Sequence, residues 1–103
     1  MKVTFTRQAR RDLAGIARYL AEHNPGRARS YVEELRTACL EIGEMPNGFE
    51  RLGHAKLSDI RRRTFAPYLI FYRIEEGEIS LVRIIHGARN YPRILNRRER
   101  PAD

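Results

Sequence analysis

The chain of 103 residues contains one cysteine, two lysines and no long apolar run. Its cysteine, Cys39, cannot form a disulfide within the chain, and we expect a buried thiol on the apolar stripe of a helix. Residues 1–7 lack the apolar stretch of a signal peptide, and no later run is long enough to cross a bilayer. We therefore expect a cytoplasmic protein that makes no contact with a membrane.

Motifs for cofactors and metals are also missing from the sequence. Gly43, Gly48 and Gly53 neither follow a strand nor precede a Gly-Lys-Ser/Thr motif, so they do not read as a phosphate-binding loop. The 3 histidines are spread singly, with no cysteine or carboxylate at ligand spacing. We expect no cofactor and no metal site.

Arginine is the residue that the sequence has in excess. It supplies 18 of the 20 basic residues, and the formal net charge is +7. Basic residues are concentrated in residues 51–63 and 86–103, whereas residues 23–50 are net acidic. Because arginine binds carboxylates and phosphates in a bidentate manner, the partner is expected to be a nucleic acid, an acidic protein or both.

The first half of the chain predicts a strand followed by two helices. Residues 2–5 alternate as a short strand, and Thr6 is a suitable N-cap for a helix that ends near His23. Asn24 and Pro25 start a second helix, for which Gly43 is a natural stop. Two helices joined so closely form an antiparallel hairpin.

Three further strands are predicted at residues 60–63, 68–72 and 79–85. Glu76-Gly77 has the composition of a two-residue hairpin turn between the last two strands. This turn sets the register of the hairpin. The expected pairs are Ile74 with Ile79, Tyr72 with Leu81, Ile70 with Arg83 and Tyr68 with Ile85.

Both faces of this hairpin are apolar. One face carries Arg83, which requires a partner if it is buried, and Asp12 on the first helix is the candidate for an ion pair. The other face either awaits a partner or is buried within the same domain, and the pattern alone allows both interpretations. That face holds Leu69, Phe71, Arg73, Ser80, Val82, Ile84 and His86.

The order of elements predicts an α+β domain of the type β-α-α-β-β-β. In it the helical hairpin packs on one face of a small antiparallel sheet. We expect a single domain over residues 1–91 and a basic C-terminal tail over residues 92–103. The tail is polar and rich in arginine, so few buried contacts are expected from it.

Several short motifs follow one another along the chain: Ala9-x-x-Asp12-Leu13-x-x-Ile16-x-x-Tyr19, Met45-Pro46, Ile60-Arg61, Tyr68-x-Ile70-x-Tyr72 and Arg83-Ile84-Ile85-His86-Gly87-x-Arg89. In this order they resemble the RelE/ParE superfamily of toxins from bacterial type II toxin–antitoxin systems. The resemblance covers nearly the whole chain.

RelE-type members cleave ribosome-bound mRNA without a metal, through basic side chains and groups that transfer protons. Arg89 matches one of their catalytic arginines, and Arg62 occupies a position where they carry a basic residue. However, Leu69 and Leu95 replace an arginine and a tyrosine, and Ile60 replaces another basic residue. The resemblance therefore implies a ParE-like toxin, a binding-type inhibitor of DNA gyrase that is not an enzyme.

Two other functions are alternatives to this one. A metal-independent ribonuclease would use Arg62, His86, Arg89 and Tyr91, and the third candidate is a simple nucleic-acid-binding module. For gyrase inhibition we expect a target-binding surface at the end of the sheet. It would consist of the same four residues together with Arg93.

The resemblance also implies neutralisation by a ParD-like antitoxin, in a hetero-oligomer that binds operator DNA only through the antitoxin. The antitoxin's helix is expected in the groove of the helical hairpin, and its next segment on the open face of the sheet. The residues expected to contact it are Tyr19, Leu20, Tyr31, Leu35, Leu69 and Phe71.

Overall fold

The computed structural model describes residues 1–53, 55–57 and 59–97. These residues contain seven helices and strands, joined by turns and loops. They follow in the order β1 (Val3–Phe5), α1 (Arg7–His23), α2 (Pro25–Glu41), β2 (Arg61–Phe65), β3 (Tyr68–Glu75), β4 (Glu78–His86) and α3 (Tyr91–Arg97). Short 3-10 turns occur at Ile42–Glu44 and Ala55–Leu57. The predicted α+β layout is confirmed, and none of the described helices is long and apolar enough to cross a membrane.

The ends of the helical hairpin follow the local sequence signals. The Thr6 side chain accepts a hydrogen bond from the backbone N–H of Ala9 at 3.1 Å, which satisfies a donor of the first turn of α1. Pro25 occupies the first turn of α2. Gly43 lies against the backbone carbonyl of Met1, where a Cβ atom would collide, so this position requires glycine.

The sheet has the strand order β1-β4-β3-β2 and is mixed. β3 is antiparallel to both β2 and β4, but β1 runs parallel to β4 through the pairs Val3 with Ile79 and Phe5 with Leu81. The expectation of a purely antiparallel sheet is therefore corrected at this edge. The alternation of side chains in a three-residue strand does not indicate whether the strand runs parallel or antiparallel to its neighbour.

The predicted turn between β3 and β4 is confirmed. Glu76 and Gly77 have φ angles of 51° and 78°, and such positive φ values at both central residues are typical of a tight hairpin turn. The pairs next to the turn, Ile74 with Ile79 and Tyr72 with Leu81, are as predicted.

A β-bulge then shifts the register farther from the turn. Tyr72 pairs with Leu81 but Phe71 pairs with Arg83, so Val82 is an extra residue in β4. The expected pairs of Ile70 with Arg83 and of Tyr68 with Ile85 are wrong. The observed partners are Ile84 for Ile70 and His86 for Tyr68.

Hydrophobic residues cover both faces of the sheet. The helices bury the first face, with Ala9, Leu13, Ile16, Leu35, Ile70 and Tyr72 among the buried residues. The second face is buried by the segment before β2 and by α3. We call its residues the α3-side cluster: Leu52, Leu57, Ile60, Phe71, Val82, Ile85 and Leu95, with Leu69, Tyr91 and Ile94 partly buried at the margin.

Of the two interpretations that the pattern allows, burial within the domain is the one observed. The open sheet face expected for the antitoxin's second segment is therefore wrong for the described residues. The predicted tail begins as helix α3, whose Leu95 is 0% exposed, so its first residues do contribute buried contacts. Predictions for residues 98–103 lie outside the described part of the chain.

Candidate functional site

Arg62 and Tyr91 lie together on the α3 side of the sheet, as the sequence predicts. The Arg62 guanidinium donates to the Tyr91 hydroxyl at 3.1 Å and to the Glu50 carboxylate at 3.0 Å. Its Cζ is 6.0 Å from the centre of the Tyr91 ring, and that ring lies 5.0 Å from the ring of Phe71. Arg62 thus links β2, α3 and the loop before β2, and it keeps a fixed orientation.

His86 does not join this pair. It is opposite Tyr68 in the sheet, and the two rings meet edge to face at 5.5 Å on the helix side. Its Nδ1 accepts a hydrogen bond from the backbone N–H of Ala88 at 3.1 Å. Because of the bulge at Val82, the His86 side chain lies on the helix side of the sheet and not on the side predicted from the sequence. The predicted convergence of His86 with Arg62 and Tyr91 is therefore wrong.

Arg89, just before α3, and Arg93, within it, are exposed cations. The backbone N–H of Arg89 donates to the His86 carbonyl at 3.0 Å, and the backbone N–H of Arg93 lies 3.5 Å from the Asn90 side-chain oxygen. Neither arginine side chain forms an ion pair with any residue that the structure describes. Both guanidinium groups can therefore bind an external anion.

Apolar side chains occupy the three positions that differ from the RelE-type pattern. Ile60 and Leu95 are each 0% exposed, and Leu69 is half-buried at the margin of the same α3-side cluster. An apolar side chain can neither transfer a proton nor stabilise a negative charge on a phosphate. These positions contribute to the core and supply no polar group to a reaction.

A groove lies between the loop end of the helical hairpin and the adjacent end of the sheet. We call it the tyrosine groove, and its volume is about 590 Å³. Tyr19 is 55% exposed at its edge and stacks on His23 at 4.1 Å between ring centres. The groove is lined by Tyr19, Leu20, Asn24, Arg27, Tyr31, Pro67, Tyr68 and His86.

Two further tyrosines, Tyr31 and Tyr68, line this groove. The Tyr31 hydroxyl donates to the Ala66 carbonyl at 3.1 Å, and its ring lies 6.2 Å from that of Tyr68. Burial raises the pKa of both phenols, so both stay neutral hydrogen-bonding groups at physiological pH.

Three of the predicted antitoxin contacts, Tyr19, Leu20 and Tyr31, therefore line one groove. Two other predicted contacts are wrong. Leu35 and Phe71 are each 0% exposed and belong to the core. Leu69 is half-buried and remains a prediction. Pro67 and Tyr68 also line the groove. The sequence does not predict this, because both residues are far from α1 in sequence and carry no motif that connects them with the helices.

The predicted ion pair between Asp12 and Arg83 is confirmed. The Arg83 guanidinium donates to the two carboxylate oxygens of Asp12 at 2.7 and 2.9 Å, and the backbone N–H of Ile84 donates to the same carboxylate at 2.9 Å. The two side chains are only 12% and 13% exposed. The pair fastens α1 to β4 beside the bulge, which is a structural role.

The described part of the chain contains neither a metal-binding cluster nor an exposed cysteine. Within residues 1–53, 55–57 and 59–97, no group of three or more histidine, cysteine or acidic side chains is placed to hold a metal ion. Cys39 is buried, and desolvation raises the pKa of its thiol to about 12. The thiol is therefore protonated and unreactive at physiological pH.

Comparison with known proteins gives consistent matches. The family model of the ParE toxin of the type II toxin–antitoxin system parDE matches residues 3–91. A curated protein of Caulobacter vibrioides, Toxin RelE2, is 33% identical over 88 residues, which are 85% of this chain and 97% of that protein.

Two solved structures share the fold. One is from the chromosomal ParDE system of P. aeruginosa, with a TM-score of 0.73, 23% identity and coverage of 84% of this chain and 95% of that chain. The other is the RelBE2 toxin–antitoxin complex of Mycobacterium tuberculosis, with a TM-score of 0.58, 23% identity and coverage of 82% and 95%.

Proposed function

Because the chain belongs to the RelE/ParE superfamily of toxins from type II toxin–antitoxin systems, we propose that it acts in the cytoplasm as a ParE-like inhibitor of DNA gyrase. It would act by binding and not by catalysis. A ParD-like antitoxin would neutralise it in a hetero-oligomer, and operator DNA would be bound only through that complex.

The observation that carries this proposal is the apolar character of three positions. Ile60, Leu69 and Leu95 stand where RelE-type enzymes carry polar groups, and all three belong to the α3-side cluster or its margin. A ribonuclease of this type requires several convergent groups that stabilise charge and transfer protons. Gyrase inhibition by binding requires none of these groups, so this family activity fits the residues better.

The target-binding surface would be formed by Arg62, Arg89, Tyr91 and Arg93. Arg62 is partly buried and is oriented by Glu50 and Tyr91, whereas Arg89 and Arg93 are exposed and have no ion pair within the described residues. Clustered arginines beside an aromatic ring can bind an acidic protein surface or a DNA phosphate. His86 is left out of this surface because it lies on the other side of the sheet.

The antitoxin would bind at the tyrosine groove. Tyr19, Leu20 and Tyr31 line it together with Tyr68, which gives a mainly apolar groove that contains three tyrosines. Exposed tyrosines supply large contact areas at low cost in conformational entropy and are enriched at protein interfaces.

A RelE-like ribonuclease remains the second candidate. It is favoured by the hydrogen bond between Arg62 and Tyr91, which places a cation beside a phenol that follows Arg89 by two residues in the sequence. The curated relative named Toxin RelE2 belongs to the same superfamily. His86 cannot join this group without a change of register at the bulge.

One experiment separates the two candidates. The purified protein is assayed for inhibition of gyrase supercoiling and for gyrase-dependent DNA cleavage, in parallel with cleavage of mRNA on programmed ribosomes. We expect inhibition of gyrase without mRNA cleavage. Cleavage of mRNA with unaffected gyrase would support the ribonuclease instead.

A further inference from the structure

Exposed arginines follow one side of α1. Arg7, Arg11 and Arg18 are all exposed, and in a helix with 3.6 residues per turn they lie within about 40° of one another around the axis. We call these three residues the α1 arginine stripe. The residues that α1 buries lie on the opposite side of the helix, so the stripe faces away from the sheet.

No carboxylate neutralises the stripe within the part of the chain that the structure describes. Asp12, the acidic residue in the first half of α1, is already bound to Arg83 of β4. By contrast, Arg27 at the start of α2 forms an ion pair with Glu34 of the same helix. The three guanidinium groups of the stripe are therefore available to an external anion.

The stripe does not stabilise the helix that carries it. The first turn of α1 contains no acidic residue and begins with Arg7, although a carboxylate is the favourable charge at that end of a helix. Arg7 and Arg11 are four residues apart, a spacing at which like charges destabilise a helix. Conflicts between local stability and sequence are expected at functional sites.

The residues between the arginines are small. Ala14 and Gly15 separate Arg11 from Arg18, and a Cβ atom on Gly15 would meet no other atom within 4 Å. The stripe thus lacks the large apolar and aromatic side chains that dominate contacts between proteins. It also lacks the aromatic rings on which the bases of a single-stranded nucleic acid stack.

The spacing of the arginines suits the backbone of a duplex. With a rise of 1.5 Å per residue, Arg11 lies about 6 Å and Arg18 about 16 Å from Arg7 along the helix axis. The minor groove of B-DNA is about 6 Å wide and the major groove about 12 Å wide. Arginines at these intervals can reach phosphates on both sides of a groove, a contact that needs no base-specific group.

We propose that the α1 arginine stripe binds the phosphate backbone of duplex DNA without sequence preference. This binding differs from operator recognition, which the proposed function leaves to the complex with the antitoxin. It is also separate from the target-binding surface, because α1 packs on one face of the sheet and α3 on the other. The protein could therefore contact an enzyme through its α3 side and DNA through α1 at the same time.

The test measures the binding of purified full-length protein to short labelled duplexes by fluorescence anisotropy, without gyrase or antitoxin. The probes are two DNA duplexes of unrelated sequence and a single-stranded RNA, each titrated at several salt concentrations. The stripe variant is Arg11→Gln combined with Arg18→Gln, which keeps a good helix former at both positions. Its control, Arg51→Gln combined with Lys56→Gln, removes the same charge from two exposed residues before β2.

We expect the wild-type protein to bind both duplexes equally. Each phosphate contact contributes about 0.9 to the slope of log K against log salt concentration, so the slope of the stripe variant should be shallower by about 1.8. At low salt the stripe variant should bind DNA about tenfold or more weakly than the wild-type protein, whereas the control keeps the wild-type slope. The Tm of the stripe variant should not fall, since like charges are removed from one helix face.

Equal losses of DNA affinity in the stripe variant and its control would overturn the inference, because net charge would then explain the binding. Stronger binding of the RNA than of the duplexes would assign the stripe to a single strand. Weaker antitoxin binding by the stripe variant with unchanged DNA affinity would assign it to an acidic protein. None of these results bears on gyrase as the target, and a protein that binds DNA through the stripe but leaves gyrase unaffected would refute only the proposed function.

Discussion

Removing the ion pair between Asp12 and Arg83 should destabilise the protein strongly. In Arg83→Ala, the Asp12 carboxylate loses both guanidinium contacts, at 2.7 and 2.9 Å, and keeps only the backbone N–H of Ile84. Breaking a buried pair from one side costs on the order of 3–5 kcal/mol, because a charge is left without its partner. The side chains retain 12% and 13% exposure, which admits some water, so we predict the lower end of the range, ~3 kcal/mol.

Urea denaturation followed by circular dichroism measures this loss. Its matched control is Arg27→Ala, which removes another bidentate ion pair, between Arg27 and Glu34. The side chains of Arg27 and Glu34 are 46% and 53% exposed. Because exposed pairs are screened by water and salt, the control should hardly change the urea midpoint. A double-mutant cycle with Asp12→Ala should give a coupling energy above ~1 kcal/mol. Equal midpoints for Arg83→Ala and Arg27→Ala would refute the assignment of Arg83 as a structural residue.

Three other predictions concern the core, the antitoxin groove and the thiol. Leu95→Ala should lower the free energy of unfolding by ~3 kcal/mol because it leaves a cavity under α3; no change in urea denaturation would mean that α3 is detached in solution. Tyr19→Ala should weaken antitoxin binding by about tenfold or more in calorimetry, whereas the exposed Leu40→Ala should not, and equal affinities would move the antitoxin away from the tyrosine groove. Burial raises the pKa of Cys39 from 9.0 to about 12, so the native thiol stays protonated when the unfolded one ionises. Stability should therefore fall as the pH rises from 9 toward 12 in urea denaturation, and iodoacetamide should label Cys39 at pH 8 only in urea; rapid labelling of the native protein would contradict the burial.

The element order and several contacts could be predicted from the sequence because each rests on a local rule. Thr6 caps α1 through a side-chain oxygen three residues before its donor, and Glu76-Gly77 adopts the positive φ angles of a tight turn. The pairing of Asp12 with Arg83 could be predicted because a charged side chain on an apolar strand requires a partner of opposite charge.

The bulge is the feature that strict alternation could not reveal. Val82 adds one residue to β4, which moves Ile84 to the helix side and Ile85 to the α3 side. His86 changes sides for the same reason, and this separates it from the predicted target-binding surface. Alternation in the sequence predicts which side of the sheet each side chain lies on only where the strand pairing is regular.

The burial of Leu95 was missed for a different reason. It lies in a short arginine-rich segment, where Tyr91, Ile94 and Leu95 span little more than one helical turn, too short for a periodic signal that would predict a packed helix. Its partners in the cluster, such as Phe71 and Val82, occur on strands earlier in the sequence. The pattern alone therefore allowed both an open and a buried second face, and in the structure the chain itself covers it.

The most direct test of the proposed function is a titration of gyrase supercoiling with the purified protein. Wild-type protein and the control Arg29→Ala should inhibit supercoiling at similar concentrations, whereas Arg89→Ala combined with Arg93→Ala should require at least about tenfold more protein. Addition of the antitoxin should relieve the inhibition. Supercoiling that is unaffected by folded wild-type protein at any concentration would contradict gyrase as the target.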